Sequence, residues 1–442
     1  MTLELPAYVS AVLHRLQAAG FEAYVVGGCV RDSLLHKMPA DWDVTTSARP
    51  EQVLQVFKQE RTIPTGLKHG TVTVLLENTP VEITTYRIDG TYTDGRHPDS
   101  VEFTASLQED LLRRDFTINA LAYSPETGLV DVCSGAADLE RGRIVCVGDP
   151  ERRFTEDALR ILRALRFSAV LGFPIEKMTA VALRKLSPLL RRVAGERIAV
   201  ELKKLICGDD CRRVLLEYPE VLGTVLPELL PMVGLQQENP YHHLTVYEHT
   251  AETVQAAPAD PVLRLAMLFH DCGKPQCYSR DTAGVDHFRG HAAISAAMAE
   301  QALERLRFDR KTIDEVKLLV LHHDDDLPDT DGGCKRFLHR YGADRAMALV
   351  AVHRADVLGQ HPDKRDRLDT LDELEKRLQR LMDESCCVSL RDLAVSGDDL
   401  QGIGYTPGRR LGDTLETLLE EVMDGKLPNE PAALLARAAQ LK

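Results

Sequence analysis

Two aspartates, Asp41 and Asp43, follow a short apolar run that ends at the glycine pair Gly27 and Gly28. Glycines between a strand and a helix let the backbone approach a phosphate, and the first N–H groups of the helix are free to bind it. Carboxylates at alternate positions of an extended segment lie on the same side, where both can bind Mg²⁺. These residues predict a phosphate-binding turn beside a magnesium site, the chemistry of nucleotidyl transfer.

Two later segments could complete such a site. The alternating pattern of Val81–Tyr86 predicts a strand that turns Glu82 away from its apolar neighbours, so Glu82 is a candidate third carboxylate. Arg113 and Arg114 precede a helical pattern that continues through Asn119 to Tyr123. Guanidinium groups match the charge and geometry of a triphosphate, so these arginines are candidates for nucleotide binding.

A further pair of opposite charges could bind a nucleobase. The spacing of apolar residues predicts one amphipathic helix over Glu156–Phe167, on which Asp157 and Arg160 are three positions apart and share a face. An acceptor beside a donor can form hydrogen bonds to the edge of a base. The same spacing is also typical of ordinary ion pairs on a helix surface.

A second group of residues is independent of the first and lies in the region that contains most of the histidines of the chain. Several of them stand at the ends of apolar helical segments, where they could converge as ligands of one or two divalent metal ions. The candidates are His249, His270, Asp271, His291, the neighbours His322 and His323, and Asp356.

The elements that must position these residues are predicted from periodicity. Strands are expected at Tyr24–Val26, Thr71–Leu76 and Ile144–Val147, among others, and the chain becomes helical from Phe154 onward. The charged and glycine-rich stretch Ile88–Pro98 has no periodicity, which favours a mobile loop that closes over a site. An α/β head therefore precedes a helical remainder.

Composition limits the class of protein. The chain has 442 residues, 44% hydrophobic and 28% charged, which is typical of a globular protein of about three or four domains. No apolar run is long enough to span a bilayer, and the N-terminus has no signal-peptide pattern. The ten cysteines are scattered and predict reduced thiols, so we expect a cytoplasmic protein with no membrane partner.

Charge is unevenly distributed. The net charge is −14, yet residues 141–213 contain 17 Lys and Arg against 9 Asp and Glu. This basic stripe predicts a surface that binds a polyanion. We divide the chain into a head (1–140), a basic helical neck (141–230), a histidine-rich region (231–362) and a helical tail (363–442).

The order of several short segments resembles the five motifs of class II tRNA nucleotidyltransferases, the bacterial-type CCA-adding family of the DNA polymerase β-like superfamily. The segments are Gly27-Gly28-x-x-Arg31-Asp32 with Asp41-x-Asp43, Arg113-Arg114-Asp115-Phe116-Thr117-Ile118-Asn119-Ala120, Asp131…Gly135-x-x-Asp138-Leu139, Glu156-Asp157-x-x-Arg160-x-x-Arg163-x-x-Arg166-Phe167 and Glu196-Arg197-Ile198.

The resemblance implies an α+β fold, in which a nucleotidyltransferase head with a mixed sheet and helices precedes an all-α neck, an HD domain and a tail. It also implies template-independent addition of CCA to the 3′ end of tRNA from CTP and ATP, with Mg²⁺ at Asp41 and Asp43. The residues that would bind the nucleotide are Gly27, Gly28, Arg31, Arg114, Asn119, Asp157, Arg160 and Arg163. Among these, Asp157 and Arg160 would select the base.

The histidines resemble those of HD-domain metal-dependent phosphohydrolases. By this resemblance His249, His270, Asp271 and Asp356 form the core metal site, and His291 and His323 complete a second metal position. The metal is a divalent transition ion of unassigned identity. The resemblance implies hydrolysis of 2′,3′-cyclic phosphates and 2′-nucleotides, which would suit repair of tRNA ends.

Alternatives remain open at the level of sequence. Within the family, the chain could add only the terminal A or synthesise poly(A); addition of CC alone is less favoured, because the 88–98 loop is present in full length. From another class, the chain could be an HD phosphohydrolase whose head binds RNA, although the intact Asp41 and Asp43 argue against this. No obligate protein partner is evident.

Overall fold

The structure is a computed structural model that describes residues 2–67, 70–76, 78–89, 101–384 and 386–442. The chain divides into two compact units, Met1–Leu230 with Arg305–Arg307, and Pro231–Glu304 with Phe308–Lys442. The finer division into four parts stays a prediction.

The first part of the first unit is a sheet with short helices. Its elements are α1 (Ala7–Ala18), β1 (Ala23–Val26), α2 (Gly28–Leu34), β2 (Asp43–Thr46), α3 (Pro50–Val56), β3 (Arg61–Gly66), β4 (Thr71–Leu76), β5 (Thr79–Thr85), β6 (Arg87–Asp89), β7 (Val101–Phe103), α4 (Leu107–Leu112), β8 (Leu121–Ser124), β9 (Gly128–Asp131) and α5 (Gly135–Glu140).

Seven of these strands form one sheet in the order β3-β4-β5-β2-β1-β8-β9. Strands β2 and β5 are parallel, and the other neighbours are antiparallel. The mixed sheet with helices confirms the predicted α+β fold and its DNA polymerase β-like head. Strands β6 and β7 pair separately, and residues 90–100 between them, which hold most of the predicted mobile loop, lie outside the described residues.

The centre of the sheet is covered on both faces, which explains the continuous apolar run of β1. Val25 belongs to a core cluster with Val44 and Leu13. The next residue, Val26, points to the other face and belongs to a second cluster with Leu111. The acidic end of β2 therefore belongs to a sheet whose centre is packed on both faces.

One local prediction near residue 120 is wrong. The segment predicted as a helix through Tyr123 forms one 3₁₀ turn at Thr117–Asn119 and then enters the sheet as β8. Pairing with β1 explains the difference, because Ala122 and Tyr123 fill positions opposite Val26 and Val25 and sheet formation outweighs a weak local helical pattern.

Further along, Ile144–Val147 makes only isolated bridges instead of a strand, and helix α5 precedes it in the chain. The remainder of the first unit is helical, as predicted. Its helices are α6 (Pro150–Glu156), α7 (Leu159–Leu171), α8 (Lys177–Leu186), α9 (Gly195–Ile206), α10 (Cys211–Glu217) and α11 (Pro219–Val225), with a 3₁₀ helix at Ser187–Arg192.

The second unit is almost wholly helical. Its elements are α12 (Val246–Ala256), α13 (Pro261–Phe269), α14 (Lys274–Cys277), β10 (Ser279–Arg280), β11 (Asp286–His287), α15 (His291–Arg305), α16 (Arg310–Leu321), α17 (Asp331–Tyr341), α18 (Ala343–Gly359), α19 (Arg367–Asp383), α20 (Gly397–Gly402), α21 (Arg409–Met423) and α22 (Pro431–Leu441). Among the described residues of the whole chain, none of the helices combines the length and apolarity needed to cross a bilayer.

Candidate functional sites

Three carboxylates meet at the beginning of β2, and we call them the acidic site: Asp41, Asp43 and Glu82. Asp43 is the first residue of β2 and pairs in register with Glu82 on the parallel strand β5, so the two side chains leave the same face of the sheet. Asp41 lies just before the strand rather than in it. The structure thus places all three predicted acids together.

The electrostatics of the acidic site favour a cation. Burial raises the pKa of the Asp43 carboxyl to about 6, the negative charges of Asp41 and Glu82 add to the rise, and Arg114 opposes it. A hard divalent ion would relieve this repulsion between oxygen ligands. The donor set therefore fits Mg²⁺.

The glycine turn lies directly beside the predicted triphosphate arginine. Gly27 has φ of +82°, which disfavours any other residue. A Cβ on Gly27 would also lie 3.2 Å from Nη1 of Arg114. Helix α2 begins at Gly28. The backbone conformation at Gly27 therefore favours glycine, and a side chain there would also require Arg114 to shift by a few tenths of an ångström.

A continuous chain of hydrogen bonds joins three of the predicted nucleotide-binding residues. Arg31 Nη1 donates to Asn119 Oδ1 at 2.7 Å, Asn119 Nδ2 donates to Asp115 Oδ1 at 3.1 Å, and Arg163 Nε donates to Asp115 Oδ2 at 2.7 Å. Although burial alone would raise it, the pKa of Asp115 is lowered to about 2 by Arg163 and Asn119. Asp115, to which the sequence assigned no role, is the anion that brings these residues together.

A second buried carboxylate, also without a role predicted from the sequence, fixes the arginine pair. Asp110 is fully buried and accepts hydrogen bonds from Arg113 Nη2 at 2.7 Å and from Arg114 Nη2 at 3.2 Å. Burial raises its pKa, but the two guanidinium groups outweigh this effect and lower it. Asp110 stands three and four positions before its partners, so helical spacing could have revealed the contact.

The predicted base-selecting residues have different partners. Helix α6 ends at Glu156, and Asp157 has extended backbone angles, φ −140° and ψ 103°. The prediction of one continuous helix over Glu156–Phe167 is therefore wrong. Asp157 accepts two hydrogen bonds from Arg197 of α9, at 2.9 and 3.3 Å, whereas Arg160 donates to Glu156 at 2.9 Å.

In the second unit, six predicted ligands converge, and we call them the histidine site. Asp271 lies at its centre, with Oδ2 3.2 Å from Nε2 of His270 and Oδ1 3.3 Å from Nε2 of His291. Two overlapping groups can each hold a metal ion, and Asp271 belongs to both. The remaining ligands are His249 with Asp356, 3.0 Å apart, and His323, whose Nε2 is 3.2 Å from that of His291.

The backbone orients every histidine of this site. The Nδ1 atom of each ring contacts a carbonyl oxygen, which leaves Nε2 facing the centre, an arrangement typical of metal-ligating histidines. The contacts are His249 with Gly359 at 3.0 Å, His270 with Met267 at 2.7 Å, His291 with Phe288 at 2.9 Å and His323 with Val320 at 2.8 Å. A set of imidazole and carboxylate ligands suits a divalent transition metal.

A buried lysine balances the central carboxylate. Lys274 Nζ lies 2.7 Å from Asp271 Oδ2 and donates to Gln237 Oε1 at 2.7 Å. Burial raises the pKa of Asp271, but His270 and Lys274 outweigh this and hold it well below its usual range. A cavity of about 890 Å³ opens over these residues. The carboxylate of Asp271 is therefore ionised and forms part of the cavity wall, although the residue is buried.

Three family models match separate parts of the chain. "Poly A polymerase head domain" matches residues 23–145, which contain the acidic site. "Probable RNA and SrmB-binding site of polymerase A" matches residues 172–232, most of which lie in the predicted helical neck. A model described as tRNA nucleotidyltransferase domain 2 matches residues 288–438.

Whole-chain comparisons point the same way. The CCA-adding enzyme of Levilactobacillus brevis is 36% identical over 426 residues, which are 96% of this chain and 95% of that protein. The crystal structure of the Bacillus stearothermophilus CCA-adding enzyme in complex with CTP matches with a TM-score of 0.71 and 29% identity over 98% of this chain and 96% of that one. The Thermotoga maritima CCA-adding enzyme complexed with tRNA shares the fold, with a TM-score of 0.58 and 19% identity over 99% and 97%.

Proposed function

This chain belongs to the CCA-adding enzyme family, and from that premise we propose that it adds C, C and A in turn to the 3′ end of tRNA, using CTP and ATP. The observation that carries the proposal is the 36% identity to a CCA-adding enzyme over 96% of the chain, which extends through both units. A cytoplasmic location is part of the proposal.

In the head, the acidic site would hold Mg²⁺ through Asp41 and Asp43, with Glu82 as the third carboxylate. Magnesium bound there supplies the charge that activates the 3′-hydroxyl of the tRNA and neutralises the α-phosphate as pyrophosphate leaves. Arg114, fixed by Asp110 beside Gly27, is positioned for the triphosphate. This close grouping supports the assignment of Gly27, Gly28 and Arg114 to phosphate binding.

Selection of the base is assigned to Asp157 and Arg160. Each is held by a separate partner, Asp157 by Arg197 and Arg160 by Glu156, so the acceptor and the donor are oriented independently before a nucleotide binds. Asn119 and Arg163 share Asp115 and would bind ribose and phosphate. The tRNA would lie along the basic stripe of residues 141–213, mainly through its backbone, so its affinity falls with salt.

The partial activities can be separated with nucleotides supplied singly. We expect CTP alone to add two residues to a tRNA that lacks CCA, and ATP alone to add one residue to a tRNA that ends in CC. An A-adding enzyme would give no product with CTP, and a poly(A) polymerase would extend with ATP beyond one residue. Gel electrophoresis at single-nucleotide resolution distinguishes the three outcomes.

A second function is favoured by the geometry of the histidine site. Two ligand groups joined by Asp271, with every imidazole oriented from the backbone, fit the metal centre of an HD-type phosphohydrolase. When bound, the metal supplies an activated water. The chain's own residues orient the ligands and, through Lys274, keep Asp271 ionised. We assign hydrolysis of phosphate esters to this site, while the acidic site makes the alternative of an RNA-binding head without transferase activity less favourable.

Asp271→Asn tests this second function. The variant should lose bound transition metal, measured by elemental mass spectrometry, and with it any cyclic-phosphate hydrolysis, while nucleotide addition stays at the wild-type rate. Asp281→Asn, a change at an exposed aspartate paired with His287 in the same unit, is the matched control. Equal metal content in the wild type and in Asp271→Asn would contradict the assignment.

A further inference from the structure

The cavity of the histidine site contains two arginines that the metal ligands do not use. Arg289 and Arg367 line this cavity together with Asp271 and Asp356. Both are exposed, and within the part of the chain that the structure describes neither guanidinium forms a salt bridge. Two guanidinium groups without an ion-pair partner, beside a candidate phosphohydrolase centre, can bind an anion.

Building on the phosphohydrolase function proposed above, we propose that Arg289 and Arg367 bind a second phosphate of the substrate. The preferred substrate is then a phosphate ester that carries a further phosphate group, such as the terminal nucleotide of an RNA chain or a nucleoside bisphosphate. A nucleoside with a single phosphate, bound at the metal site, would leave both guanidinium groups without an ion-pair partner.

Arg367 reaches the centre through one intervening side chain. Its Nη1 donates to Gln360 Oε1 at 2.9 Å, and Gln360 Nε2 donates to Asp356 Oδ2 at 2.5 Å. Gln360 is only 7% exposed, so the contact is held within the packed protein. One guanidinium therefore lies on the side of the first ligand group, next to Asp356.

Arg289 is close in sequence to a member of the other ligand group. It lies two positions before His291, in a segment where Phe288 O contacts His291 Nδ1 at 2.9 Å. The backbone that carries Arg289 is thus tied to a ligand of the second group. Arg367 is thus linked to Asp356 by hydrogen bonds, and Arg289 is close in sequence to His291 and lines the same cavity.

The other charged residues of the cavity favour these arginines as the place for a second phosphate. Lys274 is buried and already committed to Asp271 and Gln237, so it is not free for a substrate. The exposed carboxylates of Asp324, Asp325 and Asp326 line the same cavity and repel a phosphate. The cavity, about 890 Å³, is within the usual range for a ligand of nucleotide size.

The reaction needs no further reagent. In hydrolysis of a cyclic phosphate, one water oxygen bonds to phosphorus, one phosphorus–oxygen ester bond breaks, and the released sugar oxygen takes the proton that the water loses. The second phosphate keeps all its bonds. Its contribution is therefore to binding, and it can be measured without turnover.

Binding is measured by calorimetric titration of protein treated with EDTA, using adenosine 3′,5′-bisphosphate and adenosine 3′-monophosphate as probes. We expect the bisphosphate to bind about tenfold more tightly and each of Arg289→Gln and Arg367→Gln to reduce this ratio. Arg409→Gln, at an exposed arginine of α21 that does not line the cavity, should leave the ratio of the two affinities unchanged. Since the head is also expected to bind nucleotides, binding is attributed to the cavity only if Arg289→Gln or Arg367→Gln changes this ratio.

Turnover identifies the source of the second phosphate. The enzyme is supplied with Mn²⁺, Co²⁺ or Ni²⁺ and with three substrates: adenosine 2′,3′-cyclic phosphate, its 5′-phosphorylated form, and a dinucleotide ending in the same cyclic phosphate. A higher kcat/KM for the dinucleotide than for the other two supports an RNA end, and preference for the 5′-phosphorylated form supports a free bisphosphate.

Two results would overturn the inference. These are equal binding of the two titration probes, or a binding ratio that neither arginine variant changes. If none of the three substrates is hydrolysed with any metal, the phosphohydrolase function fails instead, and the binding ratio still decides whether the arginines bind a second phosphate.

Discussion

Arg197 donates two hydrogen bonds to Asp157, at 2.9 and 3.3 Å, from a helix that begins 38 residues after this aspartate. The fork of a guanidinium fixes both oxygens of a carboxylate at once. A residue of α9 therefore orients the side chain of Asp157, while Glu156 orients that of Arg160, three residues further along the chain.

Replacing Arg197 should disturb base selection. Arg197→Lys keeps the charge but loses the fork, so Asp157 becomes free to reorient, and kcat/KM for CTP and ATP should fall about 10- to 100-fold with altered discrimination between them. Steady-state kinetics with each nucleotide measure this. Arg15→Gln, which breaks a partly exposed ion pair with Glu60, is the control, and an equal effect of both variants would argue against the role of Arg197.

Replacing Asp110 should instead affect both nucleotides equally. Asp110→Asn removes the buried anion that holds Arg113 and Arg114, and the triphosphate these arginines would bind is common to CTP and ATP. We expect KM for both to rise about tenfold, together with destabilisation of the head by about 3–5 kcal/mol. Glu60→Gln serves as the control for loss of a carboxylate, and a change in the ratio of CTP to ATP incorporation would contradict this account.

In the absence of metal, the buried and mutually repelling carboxylates of the acidic site should lower the free energy of unfolding of the head. The pKa of Asp43 is raised from 3.8 to about 6, so its ionised form destabilises the folded head above about pH 6, and this cost disappears as the pH falls below the unfolded value. Asp43→Asn should therefore raise the unfolding free energy of the head by about 1–3 kcal/mol at pH 8 without divalent ions.

Thermal unfolding from pH 8 to pH 4, with and without Mg²⁺, tests this sign. The increase in the free energy of unfolding caused by Asp43→Asn should become smaller between pH 6 and pH 4. At pH 8, Mg²⁺ should reduce this increase, because the ion binds the complete set of carboxylates in the wild type and stabilises it. A variant that is less stable than the wild type at pH 8 without metal would show that the three acids do not repel one another.

The two glycines of the turn should differ in their tolerance of a side chain. Gly27→Ala forces a left-handed residue and places a Cβ 3.2 Å from Arg114 Nη1, so we expect a loss of about 1–3 kcal/mol. Gly28 is helical, and its added Cβ would meet only Arg31 Nη2 at 3.7 Å, so Gly28→Ala should cost less stability. Denaturant unfolding of both variants compares them, and equal losses would refute the argument.

Local pattern was sufficient for some of these features and not for others. The alternation that placed Glu82 on the face of Asp43 depends on neighbouring residues and was visible in the sequence. The partner of Asp157 lies on another helix, and the break at Asp157 depends on that packing. Strand β8 was missed because only its place beside β1 makes an extended conformation favourable.

The histidine site shows the same limit at longer range. Its ligands come from segments more than a hundred positions apart, from His249 to Asp356, and no spacing rule predicts that they meet. Resemblance to a known order of residues suggested the set, and the structure shows the contacts. The sequence assigned no role to the anions that organise the head, Asp110 and Asp115. The partners of Asp115 come from other elements, whereas the helical spacing of Asp110 from Arg113 and Arg114 could have revealed its contacts.

The most direct test of the central claim is the product formed on tRNA that lacks CCA, when CTP and ATP are supplied together with Mg²⁺. The wild type should extend the tRNA by three residues, C, C and A, as seen by gel electrophoresis and sequencing of the 3′ end, and Asp43→Asn should give no extension. No extension by the wild type, or equal extension by the wild type and Asp43→Asn, would contradict the account.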